Sequence, residues 1–475
     1  MSFTDPRSAL DGSQLTTLLA ASVVGVYLLV VVGATAALAE AARVCAGWPG
    51  CAGADLSSPA VLVALGHRAA ASLVGVLVLV TAVVALRSDA ERRVLAALLG
   101  ALVLFPVQVS VGAFVATGGA GGLVSDGHLL VGMGIFAALV LALAWRLEAE
   151  TGSDDEAAVR DPDTLEPPEP VDTDTPSPTP DLSGLARVRA VAGAYVQLMK
   201  PRLMWLLCLV ASAGMALAAT TSDELTLGVV VATLGGGVLA IGASGTYNHA
   251  LERDIDRRME RTADRPVATH EVPVRNAFAF GGLLTVAALG AFLTVNLLAA
   301  ALGLAAIVFY SVIYTLVLKP NTVQNTVIGG AAGALPALIG WAAVTGEVGL
   351  PGLALAGVIF LWTPAHFYNL ALAYRDDYER GGFPMLPVVR GETVTRKHIL
   401  LYLAATLLAA TVLAELTTLG WLYAATTVLL GAVFLVAVVR LHYERTEGAA
   451  FRAFHASNAY LGALLLAIVL DALVV

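Results

Sequence analysis

The sequence predicts an all-α polytopic membrane protein: a four-helix transmembrane bundle followed by a nine-helix one, 13 spans in total. Three observations carry that expectation. Of 475 residues, 58% are hydrophobic and only 13% charged, far from the composition of a soluble globular chain. Uncharged stretches long enough to cross a bilayer recur from end to end. The basic residues fall almost wholly on one side of the spans that those stretches define. A formal net charge of −9 speaks against a nucleic-acid partner.

The first bundle rests on apolar stretches at 15–39, 69–86, 94–117 and 129–145. The opening stretch is too long for a signal peptide, and Met1–Gln14 is not basic. Residues 148–181 then hold twelve acids against the single base Arg160, together with seven of the 20 prolines. That segment carries −11 and leaves the rest of the chain at +2. It has almost no large apolar residues and cannot bury a core, so it is expected to be a disordered linker. Spans resume at 203–221, 226–247, 276–318, 321–346, 348–374, 399–419, 420–439 and 454–470. The 43-residue run 276–318 would make about 65 Å of helix, twice the bilayer core, so two helices turning near Asn296 are expected. The domains so read are 1–147 (four spans), 148–195 (linker) and 196–475 (nine spans).

With the N-terminus inside, 25 of the 27 Lys and Arg lie on inner segments, Arg43 and Arg68 being the exceptions. The reading is a multi-pass cell-membrane protein with the N-terminus and the charged loops in the cytoplasm and the C-terminus outside.

Chemistry concentrates on two inner loops. The second span of the larger domain runs into TYNHALERDIDRRMERTADRP (Thr246–Pro266). Continued as helix, Asn248, Glu252 and Asp256 stack at i, i+4 and i+8, three oxygen-bearing side chains on one face. Arg257, Arg258, Arg261 and Arg265 follow. The plain reading is a solvated positive-inside loop. The sharper one is a Mg²⁺–diphosphate site, since Mg²⁺ takes a few hard oxygen ligands plus phosphate oxygens, and arginines suit the remaining oxygens. The second loop, Trp362–Gly391, sets Asp376 and Asp377 beside Arg375 and Arg380. Whether the two acidic clusters face one cavity stays open at this level.

The pattern Asn-x-x-x-Glu-x-x-x-Asp followed by MERTADRP resembles the first acidic motif of the UbiA-type intramembrane prenyltransferases. Within that superfamily, ERDIDRRMERTADRP, NTVIGGAAGALPALIGWAAVTG (Asn325–Gly346) and DDYERGGFPMLPVVRG are similar to the protoheme IX farnesyltransferases, the haem O synthases, over about 198–475. Glu252 stands where many relatives have Asp, and the second motif lacks the regular Asp-x-x-x-Asp, which makes Asp377 the firmer ligand and Asp376 the weaker. The resemblance implies a nine-span UbiA-type bundle. It also implies that Mg²⁺ and arginines bind the diphosphate of farnesyl diphosphate, while the ring A vinyl group of haem B attacks the farnesyl cation. By it Asn248, Glu252, Asp256, Asp376 and Asp377 are metal ligands. Arg261 and Arg265 contact the diphosphate, assisted by Lys200 and Arg202. Lys319, at another inner span end, reads as positive-inside decoration. His366 lies within a span ten residues before Asp376. The resemblance gives it a haem-pocket role, and a satisfied core histidine is the competing reading.

In the four-span domain, two outer loops are each followed by a histidine at the start of the next span, His67 and His128. The topology sets both at one depth, where two imidazoles could ligate a single haem. Cys-x-x-Trp-Pro-x-Cys, His-Arg, QVSVGAFVATGG and His-Leu-Leu together resemble one four-helix half of the haem A synthases. That resemblance implies haem binding by His67 and His128; a Cys45–Cys51 disulfide is chemically reasonable in the shared outer loop. It also names haem A synthase or terminal oxidase assembly proteins as partners. Ala64 stands where that family has an acidic residue, which argues against oxidation of a haem methyl by this half alone.

Three other functions remain to be weighed. A UbiA-type enzyme acting on a quinone or lipid precursor is disfavoured by WTPAHF and PMLPVVRG. A membrane haem carrier would bind haem without releasing diphosphate. An ion-coupled transporter would want ionisable groups at the bilayer midplane rather than at inner span ends.

Overall fold

The computed structural model describes residues 6–38, 44, 45, 47–51, 55–88, 90–118, 122–152 and 183–474. Among them 13 helices are long and apolar enough to cross a membrane, in the expected arrangement of four and nine. The first four are α1 (Pro6–Leu38), α2 (Pro59–Arg87), α3 (Arg92–Gly118) and α4 (Gly122–Thr151). Proline in the first turn of α2 costs no hydrogen bond, because that amide has no partner within the helix.

The segment between the bundles is narrower than 148–195. Helix α4 continues to Thr151, and α5 (Gly184–Leu198) forms inside the range expected to lack structure. The cause is local: after Asp181 acids and prolines stop, and Leu, Ala, Val and Arg follow at helical spacing. The acid- and proline-rich stretch itself, 153–182, lies outside the described residues.

Helices α6 (Pro201–Ala219), α7 (Leu227–Leu251) and the single turn α8 (Arg253–Asp256) come next. The Thr226 hydroxyl caps α7 by accepting the Val229 N–H at 3.2 Å. The long apolar run does divide at Asn296, into α9 (Val274–Leu293) and α10 (Leu297–Val308). The Asn296 side chain accepts the Ala299 N–H at 2.7 Å and donates to the Ala342 carbonyl at 2.8 Å, fixing the turn. Helix α10 passes without a break into a π-helical segment, Phe309–Leu318, and then α11 (Lys319–Asn321). The remaining helices are α12 (Asn325–Thr345), α13 (Leu350–Ala373), α14 (Arg375–Arg380), α15 (Leu386–Arg390), α16 (Glu392–Glu415), α17 (Trp421–Glu444) and α18 (Glu447–Val474).

Packing groups these helices differently from chain order. One compact unit gathers 1–153 with 396–445, so α16 and α17 pack with α1–α4. Its core includes Leu15, Leu19, Val23 and Phe136, and the Tyr27 hydroxyl donates to the Leu407 carbonyl at 3.2 Å. Polar contacts finish one end. Glu148 pairs with Arg93 at 3.0 Å and with Lys397, while Glu150 accepts from Tyr443 at 2.6 Å and Thr16 at 2.8 Å. In sequence these two acids read as the start of the linker; in space they anchor α4.

The second unit gathers 154–395 with 446–475. Here α6 and α12 meet backbone to backbone: a Cβ on Gly214 or Gly340 would run into the Ala337 or Ala211 carbonyl, respectively. Small residues at crossings are how helices associate in lipid, where burial alone gives no drive.

Candidate active site

Helix α7 ends at Leu251, and Glu252 leaves the helical region (φ −94°, ψ 2°), yet the hydrogen-bond ladder does not break. Glu252 N–H donates to the Asn248 carbonyl at 2.9 Å and Asp256 N–H to the Glu252 carbonyl at 2.8 Å. Asn248, Glu252 and Asp256 therefore stack as their spacing requires, and all three are buried. Each meets a cation of the chain. Lys200 Nζ donates to Asn248 Oδ1, Lys319 Nζ lies 2.7 Å from Glu252 Oε1, and Arg265 Nη1 reaches both Asp256 oxygens at 2.8 Å.

The second loop closes onto the first. Buried Asp377 accepts the backbone N–H of Glu260 at 2.7 Å and of Arg261 at 3.3 Å, and its own-turn neighbour Arg380 at 2.8 Å. The Arg261 guanidinium lies over the Tyr374 and Tyr378 rings, 5.4 and 5.8 Å from their centroids. Asp376 is exposed on the same short helix, and Arg202 is exposed on the first turn of α6. The structure does not bring these two to the cluster.

Sequence spacing misses Tyr310 and Thr315 and leaves Lys319 as decoration, because all three depend on the π-helical segment. Tyr310, Thr315 and Lys319 are five and four residues apart, a spacing that shares one face only when each turn takes about 4.4 residues. Tyr310 OH accepts from Lys200 Nζ at 3.2 Å, and Thr315 Oγ1 accepts from Asn248 Nδ2 at 3.2 Å. Thr315 in turn donates to the Tyr310 carbonyl five residues back, at 2.9 Å. Lys319 also sits 4.1 Å from the Phe383 ring centroid of the second loop. It belongs to the site rather than decorating a span end.

Three buried or half-buried cations face two carboxylates, which leaves a positive surplus suited to an oligo-anion. Burial, with Arg265 nearby, pushes the Lys200 ammonium down to about 7. Burial raises the Asp256 carboxyl despite its arginine. Burial would raise Glu252 as well, but Lys319, with Lys200 and Arg265, holds it below its usual range. Among the described residues, no three His, Cys, Asp or Glu side chains gather closely enough to hold a metal by themselves. The donor set suits Mg²⁺ held through one or two carboxylates and an amide oxygen together with phosphate oxygens.

His366 is buried between two rings, Trp362 at 4.2 Å and Phe454 at 4.3 Å, and its Nδ1 lies 2.6 Å from Ser457 Oγ. Both ring faces are covered, so only the imidazole edge is left for a further ligand.

In the four-span part, His67 and His128 are half-buried, and each keeps a buried Nδ1 with no hydrogen-bond partner. Gln108 Nε2 lies 3.3 Å from His128 Nε2. Cys45 and Cys51 are joined by a disulfide. Arg68, next to His67, donates to the carbonyls of Gly47, Pro49 and Gly50 at 2.9–3.1 Å, which ties the disulfide loop to α2. Buried Ala64 is the residue one turn before His67.

The UbiA prenyltransferase family matches residues 206–462. A protoheme IX farnesyltransferase of Natronomonas pharaonis is 69% identical over 96% of this chain and 98% of its own. Another, from Haloarcula marismortui, is 66% identical over 98% of this chain and 99% of its own. Among solved structures, one reported for digeranylgeranylglyceryl phosphate synthase matches with TM-score 0.50 and 17% identity, covering 60% of this chain and 100% of that one. At that identity the likeness is one of fold. The family match and the near full-length identity agree: the chain belongs to the UbiA prenyltransferase family.

Proposed function

We propose that this protein converts haem B to haem O by transferring a farnesyl group from farnesyl diphosphate to the ring A vinyl group, with addition of water and with Mg²⁺. The observation that carries the reading is the identity of 69% and 66% to protoheme IX farnesyltransferases over nearly the whole chain. The geometry supports it. Asn248, Glu252 and Asp256 supply oxygens for Mg²⁺, and Lys200, Lys319 and Arg265 are within reach of the same space. When bound, the ion would neutralise charge on the departing diphosphate. The three cations, freed from their carboxylates and amide as the diphosphate arrives, take up the rest of its charge and favour allylic C–O ionisation. The terminal vinyl carbon then bonds to the farnesyl cation, and water adds at the neighbouring carbon with loss of a proton. Asp377 holds the two loops together and so keeps Arg261 against Tyr374 and Tyr378 of the second loop.

We assign the chemistry to 196–475 and place its loops, with the N-terminus, in the cytoplasm, because 25 of 27 basic residues then lie inside. The four-span part we assign to haem binding through His67 and His128, supported by their unpartnered ring nitrogens. Haem A synthase or terminal oxidase assembly proteins are the partners this arrangement suits. The test is expression in membranes supplied with haem B and farnesyl diphosphate, with mass spectrometry of the extracted haems and assay of diphosphate. Haem bound with no diphosphate released would leave a carrier instead of an enzyme.

A further inference from the structure

Helix α5 precedes the first span of the second unit and has two different apolar sides. Ala194 and Leu198 are buried in a cluster with Ala250, Val267, Val272 and Ala277, beneath the first charged loop. Leu185, Val188, Val191 and Val196 are exposed, at 65, 63, 45 and 54%. At 100° per residue these four fall within a stripe about 140° wide, whose Val191 edge adjoins the buried pair and whose Val196 edge turns away from it. Arg189 lies about 20° beyond one edge of that stripe and exposed Arg187 about 40° beyond the other, and α5 contains no acid. An apolar face flanked by arginines is the pattern of a helix lying in a membrane interface, with its cations at headgroup level.

The chain around α5 fixes that orientation. Lys200 between α5 and α6 has φ +54°, so the two helices cannot be coaxial; α6 crosses and α5 turns aside. Gly245 of α7 lets the turn press close, since a Cβ there would sit 2.8 Å from the Leu198 carbonyl and 3.2 Å from Lys200 Cγ. Beyond the turn, Leu203 and Trp205 of α6 are exposed at 46 and 57% and continue the apolar surface into the span. Tryptophan at that level is a usual interface anchor.

We propose that α5 lies in the bilayer surface on the side of the charged loops, its stripe seated among acyl chains and Arg187 and Arg189 on anionic headgroups. The seat is then coupled to the site, because Lys200, two residues past α5, holds Asn248 and Tyr310. This coupling rests on the proposed reaction; the seating does not.

The test uses full-length Cys208→Ser protein in nanodiscs of phosphatidylcholine with or without phosphatidylglycerol, spin-labelled at Val188→Cys or Ala186→Cys. The label at 188 should be open to oxygen and closed to a nickel chelate, and the label at 186 the reverse. Phosphatidylglycerol should deepen the 188 label, and Arg187→Gln with Arg189→Gln should remove that dependence. A 188 label open to nickel, or closed to both probes because protein covers it, overturns the seating; depth indifferent to lipid charge overturns the headgroup contact. In the second arm, Leu185→Asp with Val188→Asp should raise KM for farnesyl diphosphate about fivefold with kcat little changed. An unchanged KM overturns the coupling to Lys200. The labelling arm needs no turnover, so its failure and that of the proposed reaction are distinguishable.

Discussion

Asp377 accepts the backbone N–H of Glu260 at 2.7 Å, across 117 residues of sequence, and so fastens the second charged loop to the first. A carboxylate used this way does two jobs: it shapes the site and adds to its charge. Removing it should be as damaging as removing a residue that faces the diphosphate directly.

Asn248→Ala, Asp256→Ala and Asp377→Ala should each lower haem O formation by about 100-fold or more, with the protein still present in the membrane. Glu252→Asp should be the mildest change in the cluster, because the charge beside Lys319 survives. Haem extraction from membranes of equal protein content measures this, and full turnover in the three alanine variants would refute the site.

Lys319→Met should be harmful twice over. It removes a cation proposed to meet the diphosphate and leaves buried Glu252 without its closest cation, a loss of about 3 kcal/mol of stability. Adding Glu252→Gln should restore the unfolding midpoint in detergent without restoring activity, since the pair would then be neutral. A double variant that melts as low as the single one would contradict this account.

Much of this was readable in sequence, and the unread part has a physical cause. Hydropathy gives 13 spans and the turn at Asn296, because apolar length and a side chain that can cap are local properties. The Asn248, Glu252, Asp256 ladder follows from helical spacing. That Asp377 meets Glu260 is a tertiary fact no spacing encodes. Lys319 was hidden by a change of helical period, since α-helical counting points it elsewhere. The motif already ranks Asp377 above Asp376, and burial agrees, but Arg202 is equivalent to Lys200 by type, and only burial separates them: Lys200 is half-buried and Arg202 exposed. The packing of α16 and α17 with the first four helices was equally invisible, resting on contacts such as Tyr27 with Leu407.

Thr315 should act by orienting Asn248. Its hydroxyl accepts from the amide nitrogen and thereby turns the amide oxygen toward Lys200. Thr315→Val should raise the Mg²⁺ concentration for half-maximal activity about tenfold, the cost of one lost buried hydrogen bond. Thr315→Ser should recover most of it. Equal Mg²⁺ dependence in the two variants would remove Thr315 from this role.

Deleting residues 155–180 should leave prenyl transfer within about threefold of wild type, because a segment of that composition supports no core. Initial rates in isolated membranes decide it. A well-expressed deletion that is inactive would show that the stretch admits substrate or a partner.

Haem titrated into the full chain should give a low-spin spectrum with two imidazole ligands, lost in His67→Ala or His128→Ala. No haem A should form, because Ala64 offers no carboxylate beside His67. A spectrum unmoved by both substitutions would end the assignment, and a formyl-haem product would overturn the argument from Ala64.

The π-helical stretch imposes a different kind of constraint on how this chain can vary. Its outward residues, Val312, Ile313, Leu316 and Val317, are exposed, and other apolar residues should serve there. Its residue count is another matter. Losing one position at this winding would rotate everything downstream by about 80° and carry Lys319 off the face it shares with Tyr310 and Thr315. Substitutions in 309–318 should therefore be tolerated where single-residue deletions are lethal to turnover, so that what this stretch must preserve across generations is its length.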